Sequence, residues 1–218
     1  MVTRRAWMKG VAGGAAGLAL LRGALAAGKI EKGVYRVKGE ARVNGAPAQV
    51  GMKVKAGDLI TTGKASELVF VIGRDAMMVR AGARIEVEGA LGSLLESGLR
   101  IVTGAVLSVF EPGKPKRITT ATATIGIRGT GIYVEALPEE TYVCTCYGVA
   151  DLAAVDDPAA RETVHTEHHD QPRFIMARGA PQMIVKAPVV NHTDAELILL
   201  ESLVGRVPAF YGKSYGGY

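Results

Sequence analysis

Two cysteines stand one residue apart in the run YVCTCYG, and Cys144 and Cys146 are the only cysteines in the 218 residues. Three of the four histidines, His165, His168 and His169, follow in the run VHTEHHDQP. Thiolate and imidazole together are the ligand types that suit a soft metal ion, zinc or copper. The same cysteines could instead form a disulfide, or serve as small buried hydrophobes. All three readings stay open in the sequence. Ordinary structural use comes first, metal ligation second and a disulfide third.

Strand geometry sharpens the choice. YVCTCYG is extended by composition, so Cys144 and Cys146 share one face while Val143, Thr145 and Tyr147 take the other. Their Cα atoms would stand about 6.6 Å apart on an extended strand. That is near the upper limit for a disulfide, which would need a kink. Asp156, Asp157 and Pro158 mark a turn, so the flanking runs form a hairpin whose paired positions sum to roughly 316. Cys146 then faces Asp170, with His168 a diagonal neighbour. Cys144, Cys146, His165, His168 and His169 are therefore the candidate metal ligands. As neighbouring strand residues, His168 and His169 would point to opposite sides, so at most one joins the thiols. His192 reads as a packing or capping residue. The spacing matches no standard zinc finger. No G-x-S-x-G, H-E-x-x-H or C-x-x-C occurs, so no catalytic residues are assigned and a non-enzymatic protein is expected.

The setting of this cluster is written at the N-terminus. Arg4 and Arg5 precede Trp7 and Lys9, an uncharged stretch runs from Val11 to Leu21, and small residues surround Ala26. Residues 1–27 read as a twin-arginine export signal, which places the remainder in the bacterial periplasm. The signal holds four of the 26 bases, leaving 22 bases against 21 acids. The remainder is therefore near neutrality and shows no basic stripe, which argues against nucleic acid as a partner. No second long apolar run follows, so no membrane span is expected after cleavage.

The body reads as short strands and tight turns. Asn44-Gly45 is a hairpin signal, because both turn positions need positive φ. Strands are expected at Leu59–Thr61, Glu67–Ile72, Ala76–Val79 and Arg84–Glu88, and two more on either side of Thr103-Gly104. The glycines of GIRGTG lack the ending of a phosphate-binding loop and run on into strand-like IYVEA, so they read as turn or bulge residues. One helix is predicted over Asp194–Val204. Thr193 and Glu196 form its capping box, Leu197, Leu200 and Val204 its apolar face, and Gly205 its stop.

Four runs, GDLITTG, SELVFVIGRDAMMV, LRIVTGAVLSV and ATATIGIRGTGIYVE, together resemble the FecR domain family over residues 33–136. The resemblance implies an all-β extracytoplasmic module that binds partners or relays signals and performs no chemistry. Where that family commonly has Asp-Gly, this chain has Gly73-Arg74-Asp75. The family's regulators also carry a cytoplasmic helical domain and a transmembrane helix ahead of the module. An export signal stands in that place here, so control of transcription is not carried over.

The expected organisation is a signal at 1–27, a FecR-like β domain at 28–136 and a β extension with the Cys/His hairpin at 137–192. The helix at 193–205 and a flexible tail at 206–218 complete it. The expected fold is all-β, a short-stranded sandwich or roll with one C-terminal amphipathic helix. The expected function is a periplasmic binding, scaffold or sensory-accessory module with a protein or envelope partner. The alternative is a metal-binding or redox protein built on the cysteines and histidines.

Overall fold

A computed structural model describes residues 32–89 and 98–215. The export segment with Arg4 and Arg5 lies outside the described residues, as do the last three residues of the tail. The first half of the chain gives strands β1 (Gly33–Lys38), β2 (Ala41–Val43), β3 (Ala46–Pro47), β4 (Leu59–Thr62), β5 (Glu67–Ile72), β6 (Asp75–Val79), β7 (Arg84–Glu88) and β8 (Gly98–Val109). The second half gives β9 (Pro115–Thr119), β10 (Ala123–Arg128), β11 (Gly131–Ala136), β12 (Glu140–Ala154), β13 (Arg161–Thr166), β14 (Arg173–Met176) and β15 (Ile184–Lys186). One helix, α1 (Asp194–Leu203), follows. Among the described residues the fold is all-β with a single C-terminal helix.

Two sheets share two strands. The first runs β1-β5-β6-β8-β11-β12-β14-β15 and is antiparallel throughout. The second runs β3-β2-β4-β7-β8-β9-β10-β12-β13, antiparallel except for the parallel pair β8–β9. Strand β8 lies in the second sheet up to Thr103 and in the first from Gly104 onward. Strand β12 makes the opposite passage between Tyr147 and Gly148. Gly104 has φ 81° and Gly148 φ 94°, a left-handed backbone that residues with a Cβ avoid. At Gly104 a Cβ would also stand 2.6 Å from Ala83 Cα. These glycines turn each strand from one sheet into the other.

This corrects the expectation of separate strands around Thr103-Gly104, since β8 continues for 12 residues. Strand β12 is longer still, at 15 residues, so the strands are not uniformly short. Residues 137–192 are likewise integral rather than an extension. Val143, Leu152, Val164 and Ile175 are buried in the same core as Phe70 and Ile85.

Both faces of the first sheet are covered, which explains the unbroken apolar run LVFVI in β5. Leu68 and Phe70 point inward, to an inner core with Ile60, Ile85, Ile101 and Ile118 of the second sheet. Val69 and Val71 point to an outer core with Met78, Leu107, Tyr133, Tyr142, Cys144 and Cys146. The chain after β15 covers that outer face. Leu197, Leu200 and Val204 of the α1 segment and Phe210 beyond it complete the outer core. The expected flexible tail is therefore packed in part: Phe210 is 4% exposed and Tyr215 stacks on His168.

Local signals act where predicted. Asn44 and Gly45 have φ of 52° and 82°. Thr193 and Glu196 form the capping box of α1, and Gly205 has φ 70° just past the helix. No helix among the described residues is long and apolar enough to cross a membrane.

Candidate metal centre

Period-two alternation on β12 aims Tyr142, Cys144 and Cys146 into the outer core. Both cysteines are wholly buried and neither is in a disulfide. The β12–β13 pairs, such as Val149 with His165, sum to two less than expected from the turn signal. That places His165 exposed in the second sheet, away from the thiols.

Beyond β13 the chain bends instead of continuing as a strand. His169 takes a left-handed backbone, φ 52°, and its N–H donates to the Cys146 carbonyl at 2.9 Å. The bend sets the rings of His168 and His169 side by side, centroids 4.7 Å apart and nearly perpendicular. The bend, not the alternation of an extended strand, sets their directions. His169, 2% exposed, turns to the thiols, with Nδ1 3.5 Å from Cys144 Sγ. His168 turns the other way. Its Nε2 meets the Asp194 carboxylate at 2.9 and 3.0 Å, and its ring stacks on Tyr215.

The fourth member is His192, which sequence reasoning assigned to packing. It does stack on Tyr133, centroids 4.8 Å apart and 12° from parallel. Its Nε2 also lies 2.9 Å from His169 Nδ1. One ligand atom from each of Cys144, Cys146, His169 and His192 falls within a common 4.8 Å. A second group, His168, His169 and Asp194, shares His169 with the first. No local signal marks His192. Only the apolar face of α1, docked over β6 and β8 in the same sheet as the strand that carries the cysteines, brings it there.

The outer hydrogen bonds of the two imidazoles fix which of their nitrogens face inward. His192 Nδ1 lies 2.6 Å from the Val190 carbonyl, which can only accept, so Nδ1 carries the proton. His169 Nε2 lies 3.1 Å from Asp194 Oδ1 and donates to that carboxylate in the same way. Both inner nitrogens then present lone pairs, and they face each other at 2.9 Å. Two lone pairs at that separation need a shared cation, a proton or a metal. Holding the outer imidazole nitrogen on a carboxylate or carbonyl is also how metal-binding histidines are oriented.

The thiols complete the donor set. Hydrogen bonding from Cys146 holds the Cys144 thiol well below its usual range, against the effect of burial. Burial, followed by the hydrogen bond to Cys144, pushes Cys146 up. Two cysteine sulfurs beside two imidazole nitrogens suit a thiophilic ion. Two sulfurs and two nitrogens are a common tetrahedral set for zinc and also suit copper(I). Ligand bonds of about 2.0–2.3 Å would set these atoms roughly 3–4 Å apart, the scale of the cluster. All four positions come from the chain, so the arrangement suits a closed, holding site more than one that activates a substrate.

No model of a known protein family matches this chain, and no curated protein does. Two crystal structures of a proposed anti-sigma factor from Parabacteroides distasonis, at 1.65 and 2.50 Å resolution, are similar to part of it. Each shares 15% identity and a TM-score of 0.49 over 59% of this chain and 58% of theirs. The chain thus spans less than two thirds of the length of those structures.

Proposed function

We propose that this protein is an exported, non-enzymatic β module that holds one soft metal ion, zinc or copper(I), between Cys144, Cys146, His169 and His192. The observation that carries the reading is the convergence of two cysteine sulfurs and two imidazole nitrogens inside the outer core, with the nitrogens 2.9 Å apart and His169 Nδ1 3.5 Å from Cys144 Sγ. Export rests on residues 1–27, and a role in contact with a protein or envelope partner rests on the FecR-like runs of residues 33–136. When bound, the ion supplies cross-linking of three remote segments. The chain's own residues fix the imidazole tautomers through Val190 and Asp194 and exclude water with Tyr133, Tyr142 and Phe210.

The test is metal analysis of protein exported in its folded state, beside Cys144→Ala and Cys146→Ala. One zinc or copper per chain in the wild type, lost in both variants, supports the proposal. Wild-type protein that is metal-free and no more stable than the variants ends it.

A further inference from the structure

The four ligands are not equivalent in how the fold holds them. Cys144 and Cys146 sit on β12, which pairs with β11 along this stretch and with β14 up to Val143. His169 is tied to that strand by its own backbone hydrogen bond to Cys146. His192 belongs to a different kind of segment. After β15 the chain, residues 187–215, adds no strand to either sheet among the described residues. Its backbone bonds to the body are few: Ala187 N–H to the Pro172 carbonyl at 3.0 Å, the Pro188 carbonyl and Val190 N–H to Tyr142 Oη, and the Asn191 carbonyl to the Arg80 guanidinium at 3.1 Å.

Otherwise this arm is held by side chains. Arg80 meets Glu196 at 2.8 Å, Asn191 Nδ2 donates to Glu135 at 3.1 Å, and Glu201 of α1 takes a hydrogen bond from Tyr147. The apolar face of α1 does the rest. Such a segment can open without unpairing a sheet, so its docking is a local equilibrium. The arm supplies one ligand, His192, and through Asp194 the outer partner of another, His169.

Resting on the metal-centre reading above, we infer that ion binding and docking of the arm are one coupled equilibrium. The ion is a latch that fastens residues 187–215 over the outer face of the first sheet. An ion that gains its fourth ligand only from the docked arm must favour docking. By reciprocity, any change that loosens the arm must weaken the ion, even with every ligand intact. The partners of His192 divide accordingly. Val190 fixes its tautomer and travels with the arm, whereas Tyr133 of β11 stacks under its ring and orients it only when the arm is down.

Hydrogen exchange read by mass spectrometry on the whole chain, zinc-loaded and chelator-stripped, tests the inference. Peptides from residues 187–215 should exchange about tenfold or more faster once zinc is removed, while those of β6 and β11 change by less than about twofold. Leu200→Ala, in the buried face of α1, should weaken zinc about tenfold at unchanged stoichiometry. If that variant does not fold, Arg80→Gln, which removes the partner of Glu196, replaces it. Equal arm protection with and without zinc would overturn the latch, and so would unchanged zinc affinity in the loosened variant. Uniform loss of protection across all strands would overturn it too, because the ion would then hold the whole fold. Failure of the wild type to take up zinc or copper(I) sinks the metal centre itself; uptake with an indifferent arm sinks only the latch.

Discussion

The two faces of the first sheet are built from alternate residues of the same strands, yet they are different materials. The inner face meets the second sheet through Leu68, Phe70, Ile60, Ile85 and Ile101, with aliphatic and aromatic contacts throughout. The outer face carries Tyr133, Tyr142, Cys144 and Cys146, and meets two histidines and a helix through hydrogen bonds and ion pairs as well as apolar contacts. The comparison teaches that a single pleat can separate duties. One set of positions fixes the fold, and the set one residue over positions ligands at little cost to that core.

The largest expected effect tests that separation from the inner side. Ile85→Ala should cost about 2–5 kcal/mol of unfolding free energy by leaving a cavity. Metal content under native conditions should stay stoichiometric. Denaturant titration with metal analysis checks both, and loss of the ion from a still-folded variant would show that the two faces are not independent.

The next effect is on the outer side. Asp194→Asn keeps the shape and weakens the acceptor for His169 Nε2, and should lower metal affinity about 10- to 100-fold. Competition with a chelator measures it. An affinity equal to wild type would mean that Asp194 serves His168 alone.

A smaller effect follows from the ion pair that anchors the arm. Burial alone would raise the Glu196 carboxyl, but the Arg80 guanidinium brings it below its ordinary value. A carboxyl lowered in the folded state adds stability that is present at neutral pH and is lost as pH falls through its folded value. The wild type should therefore lose more thermal stability than Glu196→Gln between about pH 6 and about pH 3.5. Parallel melting curves of the two proteins over that range would contradict this.

The smallest effect expected is none. His165 is exposed on β13 in the second sheet. His165→Ala should leave metal content unchanged and stability within about 0.5 kcal/mol. Metal loss from this variant would move the centre away from the outer core.

Much of the scaffold was legible because its signals are local. Asn44-Gly45 needs positive φ, Arg84–Glu88 alternates wet and dry, and Thr193 with Glu196 caps a helix, whatever the rest of the chain does. The shared face of Cys144 and Cys146 was legible for the same reason. His192 was not, since its place depends on α1 folding back over the sheet of β12 across some 48 residues, and the cap beside it explained it adequately. The bend that sends His169 to the thiols and His168 away from them was not legible, because a left-handed residue cannot be seen in a composition that favours strands. Gly104 misled in the opposite sense, since glycine as a break and glycine as a bend look alike in sequence.

Gly104 and Gly148 have a mechanical consequence. Each lets one covalent thread serve as a rung in both walls, so neither wall can peel away without dragging backbone ladders out of the other. Melting of the body should therefore come as a single concerted step, and a cut made at either glycine should leave fragments that cannot stand alone.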